Sequence, residues 1–329
     1  MKKGILERLA EGPVLGDGGY LLELEKRGWV RAGPFTPEVV LNNPDALRQL
    51  HVEFKTAGAE VLQALTFYAS RDKLATVGLA DKLEEMNRTA VRIANEVAGE
   101  HVLVSGNLSL TWMYDPEEAA SSDRVRKLFD EQLALQIDEG VDFIIGETYS
   151  WLGEALLAVE RAKPSGLPVM VTLSFENENV TEDGYSVQES AKRLEAAGAD
   201  IVGVNCLRNP GTTLPLLEEM KSVVSCHLAA QPTAYRTPAE QKDFTALAAF
   251  PTELDPLQMT RREMASYASD ARDAGVGYIG ACCGAVATHI RAMAIELQKR
   301  SADENPWKVY EGRAMSAFEF YGHDREKLP

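Results

Sequence analysis

Short apolar runs alternate with longer amphipathic stretches along almost the whole chain, and this alternation constrains the fold more than any other feature of the sequence. Eight runs have the length and composition of buried β-strands: Val14–Gly18, Val61–Thr66, Val102–Gly106, Phe143–Glu147, Val169–Leu173, Ile201–Cys206, His227–Gln231 and Tyr278–Cys282. Eight helical patterns lie between and after them: Ala46–Ala57, Lys82–Val97, Asp123–Glu139, Gly153–Ala162, Val187–Ala197, Leu214–Val223, Arg261–Ala274 and Thr288–Lys299. Eight such β-α pairs predict an α/β fold of the (β/α)8 TIM barrel type, with a doubly wound sheet as the alternative.

The same pattern divides the chain into a barrel, residues 1–300, and a short C-terminal tail, residues 301–329. The tail is irregular but rich in aromatic residues: Trp307, Tyr310, Phe318, Phe320 and Tyr321. So many aromatic side chains are unfavourable in water. We therefore expect the tail to fold back on the barrel or to pack on a neighbouring subunit as a dimerisation arm, in a homo-oligomer such as a dimer or tetramer.

Charge and cysteine content limit the partners and the compartment. The chain has 50 acidic and 34 basic residues, a net charge of −16, which disfavours nucleic-acid and anionic membrane partners. No apolar run approaches the roughly 20 residues that span a bilayer. Four unevenly spaced cysteines do not form a disulfide framework. We expect a reduced, soluble, cytoplasmic protein.

The most informative local motif is Gly280-Ala281-Cys282-Cys283-Gly284, which directly follows the last β run. Adjacent cysteines are poorly placed to bond each other, but they can present two thiolates to one metal ion. Cys206 ends another β run, and in a barrel the carboxyl ends of the strands meet at one face. Three thiolates predict a zinc site with one coordination position open. Cys226 is expected to pack as a small hydrophobe, and His227 to be a half-buried histidine rather than a fourth ligand.

The charge of such a site predicts its chemistry. Zinc with three thiolates has a net charge near −1 and is poorly suited to making hydroxide from water. It is better suited to holding an incoming thiol as a thiolate, because metal binding removes the thiol proton. The expected nucleophile is a substrate sulfur, and the expected reaction is alkyl transfer to it.

Two carboxylates are candidates for binding the rest of that substrate. Asp17 lies in Gly16-Asp17-Gly18-Gly19, where the glycines would let a ligand approach the backbone. Glu147 emerges from an apolar strand, where a carboxylate is costly unless it is paired. Together they could bind the ammonium of an amino acid. The alternatives are a turn aspartate and a salt bridge at the barrel rim.

Aromatic residues near the same rim are candidates for a cation cage. They are Tyr20, Phe35, Phe67, Tyr68, Trp112, Tyr114, Tyr149 and Trp151. Aromatic faces bind quaternary ammonium and sulfonium groups, although ordinary packing is the alternative for each one. As a set around a thiolate zinc site, they suit a positively charged methyl donor.

These motifs resemble those of the homocysteine S-methyltransferase family from Gly4 to about Glu296. Two cysteine motifs, Gly203-Val204-Asn205-Cys206 and Gly280–Gly284, are typical of the whole family. Four others point to its betaine-using branch: Gly16–Gly19, Leu22–Trp29, Ala32–Glu38 and Thr66–Ser70.

The resemblance implies a role for particular residues. Cys206, Cys282 and Cys283 would bind zinc. Asp17, Gln63 and Glu147 would hold homocysteine, and Tyr68 would lie between the zinc and the donor methyl. Phe35 would join the donor cage, with Tyr149 or Trp151 beside it. The implied reaction of methionine biosynthesis is a zinc-dependent methyl transfer from glycine betaine to homocysteine, giving methionine and dimethylglycine.

Two departures leave the donor open. The betaine enzymes have tryptophan where this chain has Phe35, and tyrosine where it has Thr148. A phenyl face is a weaker cation site than an indole. The alternative donor is a sulfonium compound, S-methylmethionine or a dimethylsulfonio acid. The alternative outside the enzymes is a zinc protein without catalytic activity that binds a thiol or an osmolyte.

Overall fold

The computed structural model describes residues 2–31, 33 and 35–301 of the 329-residue chain. Its centre is a sheet of eight parallel strands in the order β1-β8-β7-β6-β5-β4-β3-β2. The strands are β1 Val14–Leu15, β2 Val61–Gln63, β3 Leu103–Ser109, β4 Phe143–Tyr149, β5 Val169–Leu173, β6 Ile201–Asn205, β7 His227–Gln231 and β8 Tyr278–Ile279. This topology confirms the predicted (β/α)8 barrel, and the predicted tail from residue 302 onward lies outside the described residues.

Helices surround the sheet. They are α1 Ile5–Glu11, α2 Leu21–Lys26, α3 Val39–Asn42, α4 Pro44–Ala57, α5 Arg71–Ala75, α6 Leu83–Ala98, α7 Ala119–Asp138, α8 Leu152–Ala162, α9 Val187–Ala196, α10 Pro210–Lys221, α11 Arg261–Ala274 and α12 Ala287–Glu296. The eight long helices match the predicted ones to within a few residues. The patterns missed α1, α2, α3 and α5, which have four to seven residues each, because so short a segment shows too few turns for a helical period.

The barrel closes between its first and second strands. Val14 and Leu15 of β1 pair with Tyr278 and Ile279 of β8. On the other side of β1, the Glu60 backbone N–H donates to the Leu15 carbonyl at 2.8 Å. The Glu60 carboxylate accepts from the Leu15 N–H at 2.9 Å. Glu60 therefore links β1 to the start of β2 from both its backbone and its side chain.

The core has two layers. Side chains inside the barrel form an apolar cluster: Ile5, Leu9, Val14, Val61, Leu103, Phe143, Ile145, Met170, Ile201, Ala229 and Tyr278. Ile5 and Leu9 come from α1, so this helix closes the end of the barrel where the strands begin. The second, larger cluster fills the space between the sheet and the helices. Within the described residues, no helix has both the length and the apolar character needed to cross a bilayer.

A long loop covers part of the opposite end of the barrel. The sequence predicts a loop over Arg236–Pro256 from its three prolines, and these residues contain only short 3₁₀ turns. The Phe244 ring of this loop stacks on Tyr235 at 5.2 Å between centroids. Both rings belong to a small apolar cluster against which Cys282 and Cys283 pack. The loop therefore partly shields the paired thiols from water.

Candidate active site at the C-terminal mouth of the barrel

Three cysteine side chains meet where β6 and β8 end. Cys206 directly follows β6, and its backbone N–H donates to the Gln231 carbonyl at 2.8 Å. Cys282 and Cys283 follow β8. The Sγ atom of Cys283 lies 3.6 Å from that of Cys206 and 3.9 Å from that of Cys282. The three sulfur atoms all lie within 4.8 Å of one another, so the fold brings the three predicted thiols together.

The spacing of the sulfurs fits a tetrahedral metal. A Zn–S bond of about 2.3 Å at tetrahedral angles separates neighbouring sulfurs by about 3.8 Å, close to the distances found here. A disulfide would need about 2.05 Å, and all four cysteines of the chain are free thiols. Sulfur is also a donor that zinc prefers. The residues therefore fit a zinc ion.

The electrostatics of the cluster favour a cation at its centre. Hydrogen bonds from Cys282 and Cys283 lower the pKa of the Cys206 thiol well below its usual range. The same sharing with Cys206 raises the pKa of Cys282 and of Cys283. The three clustered sulfurs therefore hold one negative charge easily but not three. A divalent cation removes this restriction, since it stabilises every thiolate that it touches.

The other two candidates for sulfur or nitrogen ligation lie elsewhere. His227 begins β7, at the opposite end of the strand from the mouth, and Cys226 precedes it. Cys226 packs against the outer core, and burial raises the pKa of its thiol to about 12. These positions agree with the packing role expected for Cys226 and remove His227 from the zinc site.

The three residues that the resemblance assigns to homocysteine form one buried network. The Gln63 backbone N–H donates to Asp17 Oδ2 at 2.7 Å, and Gln63 Nε2 donates to Glu147 Oε1 at 2.5 Å. Burial raises the pKa of Asp17 to about 6 and that of Glu147 to about 7. Both carboxylates are thus poised to ionise fully when a cation is placed between them.

Two asparagines position Glu147. Asn107 of β3 donates to Glu147 Oε1 at 2.6 Å, and Asn205 of β6 donates to Glu147 Oε2 at 3.1 Å. The Asn107 backbone is held in turn by Gln136 of α7, which accepts from its N–H and donates to its carbonyl at 2.9 Å each. Each oxygen of the carboxylate is therefore fixed by an asparagine from another strand, β3 for Oε1 and β6 for Oε2.

Asp17 is fixed by a second chain of hydrogen bonds. The Tyr20 hydroxyl donates to Asp17 Oδ2 at 2.5 Å. The same hydroxyl lies 3.0 Å from Nδ1 of His51. Because the tyrosine proton is used for Asp17, His51 must donate from Nδ1, and burial keeps this ring neutral by lowering its pKa to about 3. His51 of α4 therefore fixes the position of Tyr20, and Tyr20 fixes the position of the Asp17 carboxylate.

The mouth also contains buried acceptors that the described residues leave without a hydrogen bond. Among them are Gln63 Oε1, Asn107 Oδ1 and Gln231 Oε1. A buried polar atom without a partner is costly, so such atoms mark places that a ligand would fill. Together with Asp17 and Glu147 they make an acceptor-rich site of the kind that an amino-acid ammonium group requires.

The glycines around Asp17 have a different role from the expected one. A Cβ on Gly19 would lie 2.6 Å from the Cys282 carbonyl oxygen, and one on Gly18 would lie 2.7 Å from the Phe54 ring. The loop after β1 also accepts a hydrogen bond from Ala281 through the Asp17 carbonyl at 3.1 Å. The expectation that these glycines admit a ligand is therefore corrected: they let the aspartate loop pack directly on the cysteine loop.

Backbone strain concentrates at this end of the molecule. Seven non-glycine residues among those described have a positive φ, and all except Gln298 lie in the loops or bulges of the mouth: Phe35, Tyr68, Trp112, Thr148, Cys206 and Leu207. Left-handed backbone costs about 1 kcal/mol or more for such residues. The set includes one proposed zinc ligand, Cys206, and two residues proposed for the donor, Phe35 and Tyr68.

Tyr68 lies among other aromatic rings near the thiols. Its ring centroid is 4.3 Å from that of Phe67 and 5.4 Å from that of Trp112. Burial, followed by the negative charges of Cys206 and Cys283, raises the pKa of Tyr68. The phenol therefore stays protonated next to the sulfurs.

The predicted cage residues separate into two groups. Phe35 is half-buried and packs against the same apolar cluster as the paired cysteines, so it lies near the thiols. Tyr149 does not face the mouth: it is fully buried and packs edge-on against Phe129 of α7 at 6.2 Å. A bulge in β4 turns this ring toward the helices, and we leave Tyr149 out of the proposed cage.

Trp151, unlike Tyr149, faces a cavity at the mouth of the barrel. It lines an open cleft of about 460 Å³ together with Leu110, Trp112, Tyr114, Ser150, Glu154, Glu176 and Glu182. Three aromatic rings and three carboxylates thus face one cavity. This composition attracts cations.

Several residues of the site were missed in the sequence. Asn107, His51, Lys73 and Glu154 are all buried and had not been singled out. A polar side chain inside an apolar strand, as at Asn107, could have been noticed. His51 and Lys73 give no such signal, because polar residues are common in helical segments and these two become buried only through tertiary packing.

Comparison with known proteins gives a consistent result. A family model described as Homocysteine S-methyltransferase matches residues 14–297. Betaine–homocysteine S-methyltransferase 1 of Bos taurus is 45% identical over 311 residues, covering 90% of this chain and 75% of that protein. The protein of the same name in Xenopus laevis is 46% identical over 308 residues, covering 90% and 76%.

A relative described with another donor is almost as similar. The S-methylmethionine–homocysteine S-methyltransferase of Pongo abelii is 44% identical over 306 residues, covering 90% of this chain and 82% of that protein. Among solved structures, the metallated form of the homocysteine methyltransferase MmuM from Escherichia coli superposes with a TM-score of 0.70 at 18% identity, covering 88% and 98%. At that identity the likeness concerns the fold.

Proposed function

The chain belongs to the homocysteine S-methyltransferase family, and from this premise we propose that it transfers a methyl group from glycine betaine to the sulfur of homocysteine, using zinc. The products are methionine and dimethylglycine. The observation that carries the proposal is the trio of Cys206, Cys282 and Cys283 at the mouth of the barrel, with a buried acceptor-rich site for an amino acid beside it.

The three cysteines would hold the zinc ion. When bound, the ion supplies the positive charge that keeps the homocysteine thiol deprotonated at neutral pH. The chain's own contribution is to gather the thiols on two strand ends and to cover them with the loop after β7. The apolar cluster of Tyr235 and Phe244 packs against Cys282 and Cys283 and reduces their contact with water, which strengthens the charge interactions there.

Asp17, Gln63 and Glu147 would orient homocysteine by its ammonium group. An ammonium has three N–H donors, and the two carboxylates and Gln63 Oε1 offer three acceptors around one place. Binding there fixes the amino-acid end of the substrate and so directs its sulfur toward the cysteines. Such alignment is the main source of rate in a direct displacement.

The donor would approach over aromatic faces. The attacking sulfur takes the methyl carbon, the carbon–nitrogen bond of the betaine breaks, and its electron pair leaves with a neutral amine. No general acid is needed, because the leaving group already carries the positive charge that it loses. Phe35, Tyr68 and Trp151 supply faces for this cation, which is attracted by aromatic quadrupoles.

Mass spectrometry of the products tests the proposal. Zinc-loaded protein and homocysteine are mixed in separate tubes with glycine betaine, S-methylmethionine or a dimethylsulfonio acid. Methionine together with dimethylglycine in the first tube is the expected result. Methionine in no tube, with about one zinc bound per chain, would refute methyl transfer from these donors and favour a non-catalytic thiol-binding or osmolyte-binding protein.

A sulfonium donor is the second candidate. It is favoured by Phe35 and Thr148, which stand where the betaine enzymes carry larger aromatic rings, and by the 44% identity to the S-methylmethionine-using relative. The same three tubes separate the two donors. Methionine from S-methylmethionine or the dimethylsulfonio acid alone would replace betaine in the proposal.

The setting of the reaction is also part of the proposal. Three reduced thiols in one cluster require a reducing compartment, so we place the protein in the cytoplasm. A homo-oligomer remains proposed from the aromatic residues of the tail. Analytical ultracentrifugation of this protein and of a variant truncated at residue 301 tests the assembly. If both form the same oligomer, the tail is not needed for assembly.

A further inference from the structure

Lys73 of α5 is the most unusual charged residue of the mouth. Its side chain is only 1% exposed, and no described residue forms a hydrogen bond with its Nζ atom. Burying an ammonium group without a partner is costly, and burial accordingly lowers the pKa of Lys73 to about 6. A structure does not keep such a group without a compensating reason.

The ammonium lies on aromatic faces of the proposed donor site. Nζ is 4.2 Å from the centroid of the Tyr68 ring and closer still to that of Trp112. The two ring centroids are 5.4 Å apart, with their planes tilted by 60°. This pair of rings therefore already encloses the lysine amino group in the empty protein, and a carboxylate placed beside that group would favour its charged form.

The nearby carboxylates are engaged with other groups. Glu154 Oε1 accepts from the Thr111 N–H at 2.8 Å and from its hydroxyl at 2.6 Å. Asp72 accepts from the Ser70 hydroxyl at 2.6 Å. Both stabilise the charged form of Lys73 from a distance, but within the part of the chain that the structure describes neither forms an ion pair with it. An anionic partner for Lys73 is still missing.

The rings are placed for a ligand. Tyr68 and Trp112 both have left-handed backbone, with φ of 57° and 65°, in the loops that follow β2 and β3. Trp112 is 61% exposed and lines the 460 Å³ cleft. A large, exposed aromatic residue in a strained conformation beside a catalytic centre is more readily explained by binding than by packing.

We propose that Tyr68, Trp112 and Lys73 form a subsite for a zwitterionic methyl donor, in which the rings receive the onium group and Lys73 binds the donor's carboxylate. The inference rests on the proposed function and narrows its donor to an onium acid. When the donor binds, its cation takes over the ring faces. The flexible lysine then turns its ammonium to the carboxylate, which lies one methylene group away in glycine betaine.

A matched pair of sulfonium donors isolates the carboxylate. Dimethylsulfonioacetate carries a carboxylate, and trimethylsulfonium is the same cation without one. In Lys73→Met we expect KM for dimethylsulfonioacetate to rise about 10- to 100-fold, the range for losing a hydrogen bond to a buried charge. KM for trimethylsulfonium should change less than about threefold, and Trp112→Leu should raise KM for both donors.

Lys82→Met is the control, since Lys82 is exposed and pairs with Glu85 on the surface. The KM values of this variant for the two sulfonium donors should match those of the wild type. Equal changes for the two donors in Lys73→Met, or no change, would overturn the assignment and leave Lys73 a packing residue. Lys73→Arg, which keeps the charge, should recover part of the lost affinity for the carboxylate donor.

A binding measurement keeps this test independent of turnover. Quenching of tryptophan fluorescence by the same two sulfonium compounds reports occupation of the rings in zinc-loaded protein. If the wild type forms no methionine with either donor, the proposed function fails for these donors. The subsite still stands if dimethylsulfonioacetate binds at least about tenfold more tightly than trimethylsulfonium and Lys73→Met removes the difference, and it falls if the wild type binds both equally.

Discussion

The two ends of the barrel are built on opposite principles. At the closed end, α1 inserts Ile5 and Leu9 into an interior that also contains Phe143 and Ile145, and this cluster is apolar apart from the Tyr278 hydroxyl. At the mouth, buried carboxylates, amides and an ammonium group lie beside left-handed backbone. The closed end gains stability from burial, whereas the mouth gives up stability for groups that need a ligand to complete them.

This contrast separates two kinds of substitution. Changes at the closed end should alter the free energy of unfolding and leave the catalytic constants of the folded enzyme alone. Changes at the mouth should alter zinc content, KM or kcat with little loss of stability, and some should increase stability. Each of the following predictions tests one side of the contrast.

The largest effect is expected for a zinc ligand. Cys282→Ser should reduce the zinc bound per chain and lower the rate of methionine formation by on the order of 10³-fold or more, equivalent to at least about 4 kcal/mol in the barrier. Metal analysis and product mass spectrometry measure the two quantities. Cys226→Ser is the matched control, because this thiol packs away from the mouth and should keep both. Full zinc content and turnover in Cys282→Ser would remove Cys282 from the metal site.

The closed end is tested by Phe143→Ala. Phe143 is fully buried inside the barrel, so its loss should reduce the free energy of unfolding by about 3–5 kcal/mol, read from urea denaturation. At temperatures where the variant remains folded, kcat and the KM values for homocysteine and for the methyl donor should equal those of the wild type. A fall in kcat of the folded variant would mean that the two ends are coupled.

The sequence predicted the closed end and the mouth to different extents. Alternating apolar runs were enough for the eight strands, because a strand buried on both faces reads as a continuous apolar segment. Cys206, Cys282 and Cys283 could be grouped because strand ends converge in a barrel. The direction in which a particular ring points could not be read in this way: the bulge in β4 that turns Tyr149 toward the helices has no sequence pattern. Nor could the burial of Lys73, which depends on how α5 packs against the loops carrying Tyr68 and Trp112.

Asp17→Asn should separate binding from stability. Burial raises the pKa of Asp17 from 3.8 to about 6, so ionisation opposes folding. Well below pH 3.8 the acid is neutral in both states and costs nothing. The cost grows as pH rises from 4 to 6 and is complete above pH 6, where about two pKa units correspond to at most about 3 kcal/mol.

The expected result for Asp17→Asn is therefore a gain in stability that is small near pH 4 and largest above pH 6. Urea denaturation of both proteins across this range measures it. The KM for homocysteine should rise at the same time, by about 10- to 100-fold, because an amide attracts the substrate ammonium less than a carboxylate does. A constant stability difference at all pH values would show that Asp17 is not buried as a charge in the empty protein.

The smallest effect is expected for Phe35→Trp, which tests whether the donor is selected by the cage. Phe35 packs in the cluster next to the paired cysteines, and an indole face attracts a cation more strongly than a phenyl face does. We expect the ratio of kcat/KM for glycine betaine to that for S-methylmethionine to rise about two- to fivefold, which corresponds to the roughly 0.5–1 kcal/mol of one partly exposed cation–π contact. Competition between the two donors in one tube measures this ratio directly, because both donors react with the same enzyme and the same homocysteine.

Phe250→Trp is the control. It adds the same ring to the same apolar cluster from the loop after β7 and should leave the ratio unchanged. If both variants shift it equally, the added volume rather than the cation face is responsible. Donor choice would then be determined by Tyr68, Trp112 and Lys73 instead of Phe35.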